Sequence, residues 1–489
     1  VELTFDLKSI DSYRTFIRAK SLPVCQFRGR QAYIPNEYAC QLGLKQPKAK
    51  DEEYTPKEFL FDYQRDIARI AIRKRKYSIF ADCGLGKTLI FLEYIRHVSD
   101  QLRKGKAILM VCPLMVVRQT LAEAKRWYGD ELQIEQVSAK DLPAWTRKGG
   151  RIGITNFEAI TEHVEQCRIG ALIIDESSML KSHYGAWGTR LIELGRGLEW
   201  KLAGTGTPAP NDRIEYANHA VLMDQFPTVN SFLAKYFVNR GETSNRWELK
   251  PHALKPFYKS LSHWCIFLTN PAVYGWKDNC GTLPPIHVHI EDVKLTDDQR
   301  GQAQVASGEL FGSLGGIGSR AKIARIAKGI GSESLKPQYI VDLANSFGNE
   351  SRIIWCRYNA EQDTFAKMIP EAGNIDGATP HEERARIVES FQRGEIKTII
   401  SKPKILGLGL NLQICTRQIF STLQDSYEEY YQAVKRSNRY GSKLPLNVHI
   451  PVTDLERPMI ETVLRKAAMV QQDTETQEKL FREAGCNVN

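Results

Sequence analysis

One stretch constrains this chain more than any other: Ser78-Ile-Phe-Ala-Asp-Cys-Gly-Leu-Gly-Lys87-Thr88, an apolar strand that runs through a glycine-bearing turn into Lys-Thr at the head of an apolar-periodic helix. Gly84 and Gly86, with Leu85 between them, let backbone N–H groups close on phosphate oxygens. Lys87 can reach the β and γ phosphates, and the Thr88 hydroxyl can hold Mg²⁺ at the start of the helix. The turn works only with a strand before it and a helix behind it. An α/β fold with a nucleoside triphosphate site is the first expectation.

The chain has 489 residues, too many for one compact core, and a prior of about 150 residues per domain gives two to four units. With 42% hydrophobic and 25% charged residues, it has the composition of a folded protein. Its formal net charge of +10 suits a polyanionic partner. The ten cysteines include no C-x-x-C pair, which argues against a zinc site and a disulfide framework and reads as free thiols in a reducing compartment. Val1-Glu-Leu-Thr-Phe-Asp-Leu-Lys8 has neither the basic nor the apolar region of a secretory signal. The longest apolar run, 107–117, is broken by Pro113 and is far short of the ~20 residues that cross a bilayer. A cytoplasmic protein without a membrane partner is expected.

Residues 1–53 end in the polar stretch Lys45 to Glu53, which reads as a linker, and their role is open. From Tyr54 the pattern turns regular, with apolar strands at 107–111, 151–155, 171–174 and 200–203 and helical patterns between most of them. The same alternation returns at 352–356, 374–375, 398–401, 418–421 and 448–451. Strand and helix in alternation imply parallel sheets covered on both faces. The chain therefore reads as two α/β domains, 54–210 and 346–465, a mostly helical region at 211–345 and a tail at 466–489. In the middle region Leu254, Phe257, Tyr258, Leu261, Trp264, Cys265 and Leu268 recur at helical spacing and read as one amphipathic helix. Gly312 to Ser319 follows no strand and reads as a flexible linker.

A phosphate loop serves many enzymes, so the next carboxylates narrow the chemistry. Asp175 and Glu176 end the apolar strand Ala-Leu-Ile-Ile. There Asp175 can hold Mg²⁺ opposite the loop, and Glu176 can orient and deprotonate an attacking water. Ahead of the loop, Phe61-Asp-Tyr-Gln64 places a glutamine amide where it could bond both edge groups of an adenine. Leu202-Ala-Gly-Thr-Gly-Thr207-Pro208 is a small, hydroxyl-rich turn able to sense a γ-phosphate. Far downstream stands Gln432-Ala-Val-Lys-Arg436-Ser-Asn-Arg439. Read as a helix, it puts Gln432, Arg436 and Arg439 on one face, two arginines able to neutralise charge on a transferring phosphoryl group.

Taken in order, these motifs resemble superfamily-2 helicases and translocases of the Swi/Snf-like branch, roughly from Tyr54 to Arg465. Ala81, where the first glycine of the loop is usual, is itself a mark of that group. Asp175-Glu-Ser-Ser178 is similar to its DEAH box and Thr205 to Pro208 to its coupling motif. In the second half the similar segments are Ile353 to Asn359, Ile375 to Thr379, Gly407-Leu-Gly-Leu-Asn-Leu-Gln413 and Gln432 to Arg439; Lys181 and Lys328 also suit the branch. The box, the Thr-Pro-Ala-Pro-Asn-Asp continuation and Tyr13 to Lys20 look most like helicase-annotated proteins of bacteriophages and prophages, whose place would be the bacterial host cytoplasm. Ser178 departs from the usual histidine or glutamine, and Pro403 from a usual threonine.

The resemblance implies two RecA-like lobes with a helical insertion and an ATP-driven DNA motor using Mg²⁺. Lys87, Glu176, Arg436 and Arg439 would act in hydrolysis, and Thr88 and Asp175 would hold the metal. Gln64, Gly84, Leu85, Gly86, Thr207, Gly407 and Gln432 would complete the nucleotide site. Arg118, Thr155, Asn156, Arg357, Asn359, Lys402 and Asn411 would touch the nucleic acid, double-stranded or branched DNA, gripped mostly at phosphates. The alternatives are a strand-separating DNA or RNA helicase and, from another class, an ATPase-inactive DNA-binding clamp or partner-binding module. A protein partner could dock through residues 1–53 or the middle region, and oligomeric state is left open.

Overall fold

Buried apolar strands separated by helices pair most simply side by side and in parallel, with the helices covering the sheet. The computed structural model describes the chain apart from residues 1, 7, 23–24, 35–38, 40–41, 45–53, 182–184, 242–246, 278–282, 312–316, 332, 407–411, 424–426, 440–441 and 484–489. It divides into two compact units, Val1–Asn279 with Gln471–Asn489, and Cys280–Val470.

The first unit opens with a small layer of its own. Strands β1 (Glu2–Thr4), β2 (Gln26–Arg28) and β3 (Gln31–Tyr33) pair antiparallel in the order β1-β3-β2. Helix α1 (Ile10–Ser21) is capped by the Ser9 hydroxyl, which accepts from the Ser12 N–H, and brings Phe16 and Ala19 into a core with Phe5, Leu22 and Ile34. The main sheet is built from β4 (Lys76–Ala81), β5 (Ala107–Cys112), β6 (Glu135–Gln136), β7 (Ile152–Asn156), β8 (Ile169–Asp175) and β9 (Trp200–Thr205). A hairpin, β10 (Phe237–Asn239) with β11 (Trp247–Leu249), stands apart, and β12 (Cys265–Leu268) returns to the main sheet. The seven strands run parallel in the order β12-β4-β9-β8-β5-β7-β6. Around them lie α2 (Asp62–Lys74), α3 (Lys87–Gln101), α4 (Leu114–Tyr128), α5 (Leu142–Lys148), α6 (Ala186–Gly195), α7 (Tyr216–Leu222), α8 (Val229–Tyr236) and α9 (Leu254–Leu261).

The second unit repeats the plan with β13 (Ile286–Asp292), β14 (Arg352–Trp355), β15 (Gly373–Ile375), β16 (Thr398–Ser401), β17 (Arg417–Phe420) and β18 (Leu446–Val452). They are parallel in the order β13-β18-β17-β14-β16-β15. Its helices are α10 (Asp297–Phe311), α11 (Ile317–Ala327), α12 (Lys336–Ser346), α13 (Asn359–Met368), α14 (His381–Gln392), α15 (Tyr427–Val434) and the start of α16 (Arg457–Glu483). Alternate residues of β14 point to opposite faces: Ile353 and Trp355 join a core with Phe391 and Val448, while Ile354 joins another with Ile340 and Phe365. Lys328, singled out by sequence, is buried with Lys336 around one carboxylate, Glu456, at 3.5 and 2.7 Å.

Three expectations are corrected. The apolar spacing from Leu254 to Leu268 is helical only as far as Leu261, and Cys265–Leu268 is extended. Cys-Ile-Phe-Leu fits either state by pattern, and pairing with β4 at the sheet edge decides for strand. Of the stretch read as a linker, Gly312 to Gly316 lies outside the described residues, but Ile317 to Ser319 open α11. Helix α15 stops at Val434, so Arg436 and Arg439 lie in the turns behind it and not on a helical face with Gln432. Polar side chains take over there: Gln418 donates to Ser437 Oγ at 2.8 Å, and Asn438 donates to Pro284 O at 2.8 Å.

Candidate nucleotide-binding site

Strands β4, β9 and β8 are neighbours, and each carries a different chemical group out of its carboxyl end. Behind β4, Gly84 and Gly86 take φ of +89° and +65°, a region that disfavours side chains. At Gly86 a Cβ would also come within 2.3 Å of Gln64 Nε2. Lys87 then opens α3 and its ammonium arches back, donating to Ala81 O at 2.7 Å and Asp82 O at 3.3 Å. Thr88 follows in the first turn of the same helix.

Helix α2 holds this loop from one side. The Tyr63 hydroxyl donates to Leu85 O at 3.0 Å, and Gln64 Nε2 donates to Gly86 O at 3.4 Å while its Oε1 accepts from Phe61 N at 3.0 Å. Gln64 is only 2% exposed. Its amide is engaged by the loop and by its own helix start, and reading a base would mean exchanging the longer of these bonds.

At the end of β8, Asp175 is buried and its Oδ1 accepts from Glu176 N at 2.8 Å. Glu176 adopts φ +51°, ψ +49°, a left-handed conformation that costs a non-glycine residue on the order of 1 kcal/mol or more. From β9, Thr205 donates its hydroxyl to Glu176 Oε2 at 3.2 Å and accepts from Thr207 N at 3.1 Å. The coupling turn and the carboxylate pair are thus physically joined. Burial, reinforced by Glu176, raises the Asp175 carboxyl above the ordinary carboxylate range, and Lys87 pulls the other way. Two carboxylates crowded in this way favour a cation between themselves and a phosphate. Among the described residues no group of three or more His, Cys, Asp or Glu side chains forms a metal cluster. One carboxylate and the Thr88 hydroxyl instead make a sparse, hard oxygen set, which fits Mg²⁺, an ion that fills its shell with water and substrate phosphates.

Sequence reasoning missed what stands behind this edge. Ser177 Oγ lies 2.9 Å from His219 Nε2, and Asn218 Nδ2 donates to Leu180 O at 2.6 Å. His219 is fully buried, its ring edge-on to Phe80 at 5.2 Å, and burial lowers its pKa to about 4. The available signal was an Asn-His pair inside the otherwise apolar helix α7.

The residues expected to touch nucleic acid are placed unevenly. Thr155 is buried and donates its hydroxyl to Val137 O at 2.8 Å, so it is turned into the sheet. Asn156 bonds Glu158 at 2.6 Å, and Arg118 is exposed on α4. In the second unit Arg357, Lys402 and Lys404 line one small cavity of about 70 Å³ at the carboxyl ends of β14 and β16, and Lys402 donates to Asn359 Oδ1. Also in that unit, Arg436 is buried, Arg439 is half-buried, and Gln432 lies near Glu428 at 3.5 Å. Gly407 and Asn411 lie outside the described residues.

A model of the SNF2-related domain matches residues 63–335, and a model of the helicase conserved C-terminal domain matches residues 335–441. The chain belongs to the SNF2-related family. Its family domains are those of helicase-like ATPases and imply ATP with a divalent cation. The SNF2-related chain is similar to the p41 protein of Acyrthosiphon pisum secondary endosymbiont phage 1, at 24% identity over 430 residues covering 79% of this chain and 91% of that one. It is also similar to the DNA annealing helicase and endonuclease ZRANB3 of Mus musculus, at 22% identity over 457 residues covering 85% of this chain but 41% of that protein. Among solved structures, the Sulfolobus solfataricus SWI2/SNF2 ATPase core in complex with dsDNA aligns with 87% of the chain and 96% of its own length, at 19% identity and a TM-score of 0.40. No helix among the described residues is long and apolar enough to cross a membrane.

Proposed function

We propose that this SNF2-related chain is an ATP-driven motor that translocates on double-stranded or branched DNA. The observation that carries the reading is the joined strand-end set of the first unit, Lys87 over the glycine turn, Asp175 beside Glu176, and Glu176 bonded to Thr205. Lys87 and the N–H groups from Gly84 to Thr88 bind the β and γ phosphates, and Gln64 reads the base by exchanging its 3.4 Å bond to Gly86 O. Thr88 and Asp175 would hold Mg²⁺, which supplies charge neutralisation on the phosphates.

Glu176 orients the attacking water and takes its proton. Its bond to Thr205 links that step to the turn carrying Thr207, so the state of the γ-phosphate reaches the coupling motif. Arg436, Arg439 and Gln432 of the second unit supply the positive charge and polar contact that hydrolysis needs, and Gly407 lies in the adjoining motif. The DNA is gripped by Arg118 and Asn156 in the first unit and by Arg357, Asn359, Lys402 and Asn411 in the second; for Thr155 only its backbone is left for such a contact. A net charge of +10 supports a polyanionic track.

The test is phosphate release from ATP by the full chain, alone and with duplex DNA, a fork, a Holliday junction, single-stranded DNA or RNA. Stimulation greatest with duplex or branched DNA is expected. Stimulation by RNA alone would move the reading to an RNA helicase, and binding of DNA with no hydrolysis would leave a clamp.

A further inference from the structure

Beyond β12 the first unit does something its strand-helix alternation does not require. The chain makes a short turn of helix, Pro271–Tyr274, seated by the Asn270 side chain accepting from Ala272 N at 2.8 Å, and then lies against the start of α2. The Trp276 indole N–H donates to Asp66 Oδ2 at 2.8 Å, and the Lys277 backbone N–H donates to Asp62 Oδ2 at 2.8 Å. The indole stands 6.4 Å from the Tyr63 ring and 5.3 Å from Tyr274, whose hydroxyl donates back to Phe267 O in β12. Residues 274–277 are therefore a strap, fixed to the sheet edge at one end and to the first two turns of α2 at the other.

The same turns of α2 hold the phosphate loop, through Tyr63 to Leu85 O and Gln64 to Gly86 O. Two bonds from adjacent residues of α2, at 3.0 and 3.4 Å, thus tie the helix to the loop, so a shift of α2 is passed to Leu85 and Gly86. Phe61, 37% exposed, lies nearly parallel to Tyr63 with ring centres 5.9 Å apart, so the corner is aromatic as well as polar. A strap needed only to close the core would bury apolar side chains. This one instead spends an indole N–H and a backbone N–H on two carboxylates, and Asp66 has already committed its other oxygen to Arg69 at 2.7 Å.

We propose that Trp276 is a positioning residue for the nucleotide: through Asp66, and with Lys277 on Asp62, it fixes the register of α2 and thereby the Tyr63 and Gln64 contacts that set the phosphate loop. It governs nucleotide affinity and leaves the chemical step to other groups. The inference rests on the nucleotide-site reading above.

The experiment compares the full parent chain with Trp276→Phe, Trp276→Ala and Asp66→Asn by kcat and KM for ATP, direct MgADP binding and thermal melting. Trp276→Phe keeps the ring and loses the bond to a charged acceptor, so KM and the ADP dissociation constant should rise about tenfold, with kcat within about twofold and the melting temperature lowered by no more than a few degrees. Trp276→Ala should show a larger rise. Asp66→Asn keeps an acceptor oxygen for the indole and should fall between the parent and Trp276→Phe. Unchanged KM and ADP binding in Trp276→Phe, or a larger drop in melting temperature with kcat and KM both disturbed, would overturn the proposal. A parent chain that neither binds ADP nor hydrolyses ATP would instead sink the nucleotide reading beneath it.

Discussion

The carboxyl edges of the two sheets present their candidate groups differently. In the first unit each group leaves directly from a regular element: Lys87 and Thr88 open α3, Asp175 closes β8 and Thr205 closes β9. In the second unit Arg436 and Arg439 lie in turns past α15, and Lys402 stands just beyond β16, bonded to Asn359. A side chain at a strand end takes its direction from the pleat and the ladder. One in a turn takes it from whatever neighbours bond it, here Ser437 to Gln418 and Asn438 to Pro284. The first edge is therefore specified by local sequence, while the second depends on contacts distant in the chain.

The comparison breaks most decisively at the first edge. Lys87→Ala and Glu176→Gln should each lower DNA-stimulated phosphate release by on the order of 10³ or more, the scale of losing a group aimed at the transferring phosphoryl or its nucleophile. Glutamine keeps an oxygen for the Thr205 hydroxyl, so the fold should stand and only the base be lost. Turnover of Glu176→Gln within about tenfold of the parent would remove Glu176 from the water-activating role.

At the second edge, Arg436→Ala combined with Arg439→Ala should cost about 10³-fold in turnover while MgADP binding is kept, because the phosphate loop belongs wholly to the first unit. Near-normal turnover would show that these arginines serve only their own fold. Loss of ADP binding together with turnover would erase the contrast between the two edges.

These two tests divide along the line between what was legible in the sequence and what was not. The strand-turn-helix of the loop, the carboxylates after Ala-Leu-Ile-Ile and the paired alternations follow from periods of two and 3.6, and the strands expected between 107 and 203 and between 352 and 451 stand at those places. By contrast, β6 was not foreseen, and β10, β11 and β13 lie in the region 211–345 that reads as mostly helical. The arginine turn did not follow, because Ser437 and Asn438, just past the end of α15 at Val434, are bonded to Gln418 and to Pro284 O, which are distant in the chain. Cys265–Leu268 was misread for the same reason, a short apolar run whose state is decided by β4. His219 was overlooked because a lone histidine in an apolar helix usually signals core packing, and only the fold brings it to Ser177.

That histidine gives a smaller effect, which sharpens the account of the first edge. Burial lowers its pKa from 6.5 to about 4, so between those values the unfolded chain binds a proton that the folded chain refuses. Stability from this group is complete above about pH 6.5 and is lost as the pH falls toward 4, by up to about 3 kcal/mol. Urea midpoints measured from pH 7 to pH 4 should fall less steeply in His219→Gln than in the parent, although the variant starts lower. Equal slopes would mean that the buried imidazole is not what couples this corner to pH.

The smallest effects separate residues that make nucleic-acid contacts from residues that only stand near them. Thr155 was expected at the DNA, but its hydroxyl is buried against Val137 O, whereas Lys402 reaches the cavity edge beside Arg357. Thr155→Val should leave duplex affinity within about twofold of the parent and cost about 1 kcal/mol of stability for the lost internal bond. Lys402→Ala should weaken binding to all sequences alike and reduce the slope of log affinity against log salt by about one, the mark of a single lost phosphate contact. A salt slope unchanged in Lys402→Ala, together with a large loss of duplex affinity in Thr155→Val, would reverse the assignment, putting the track against the strand-end side of the first unit and leaving the lysine to hold Asn359 alone.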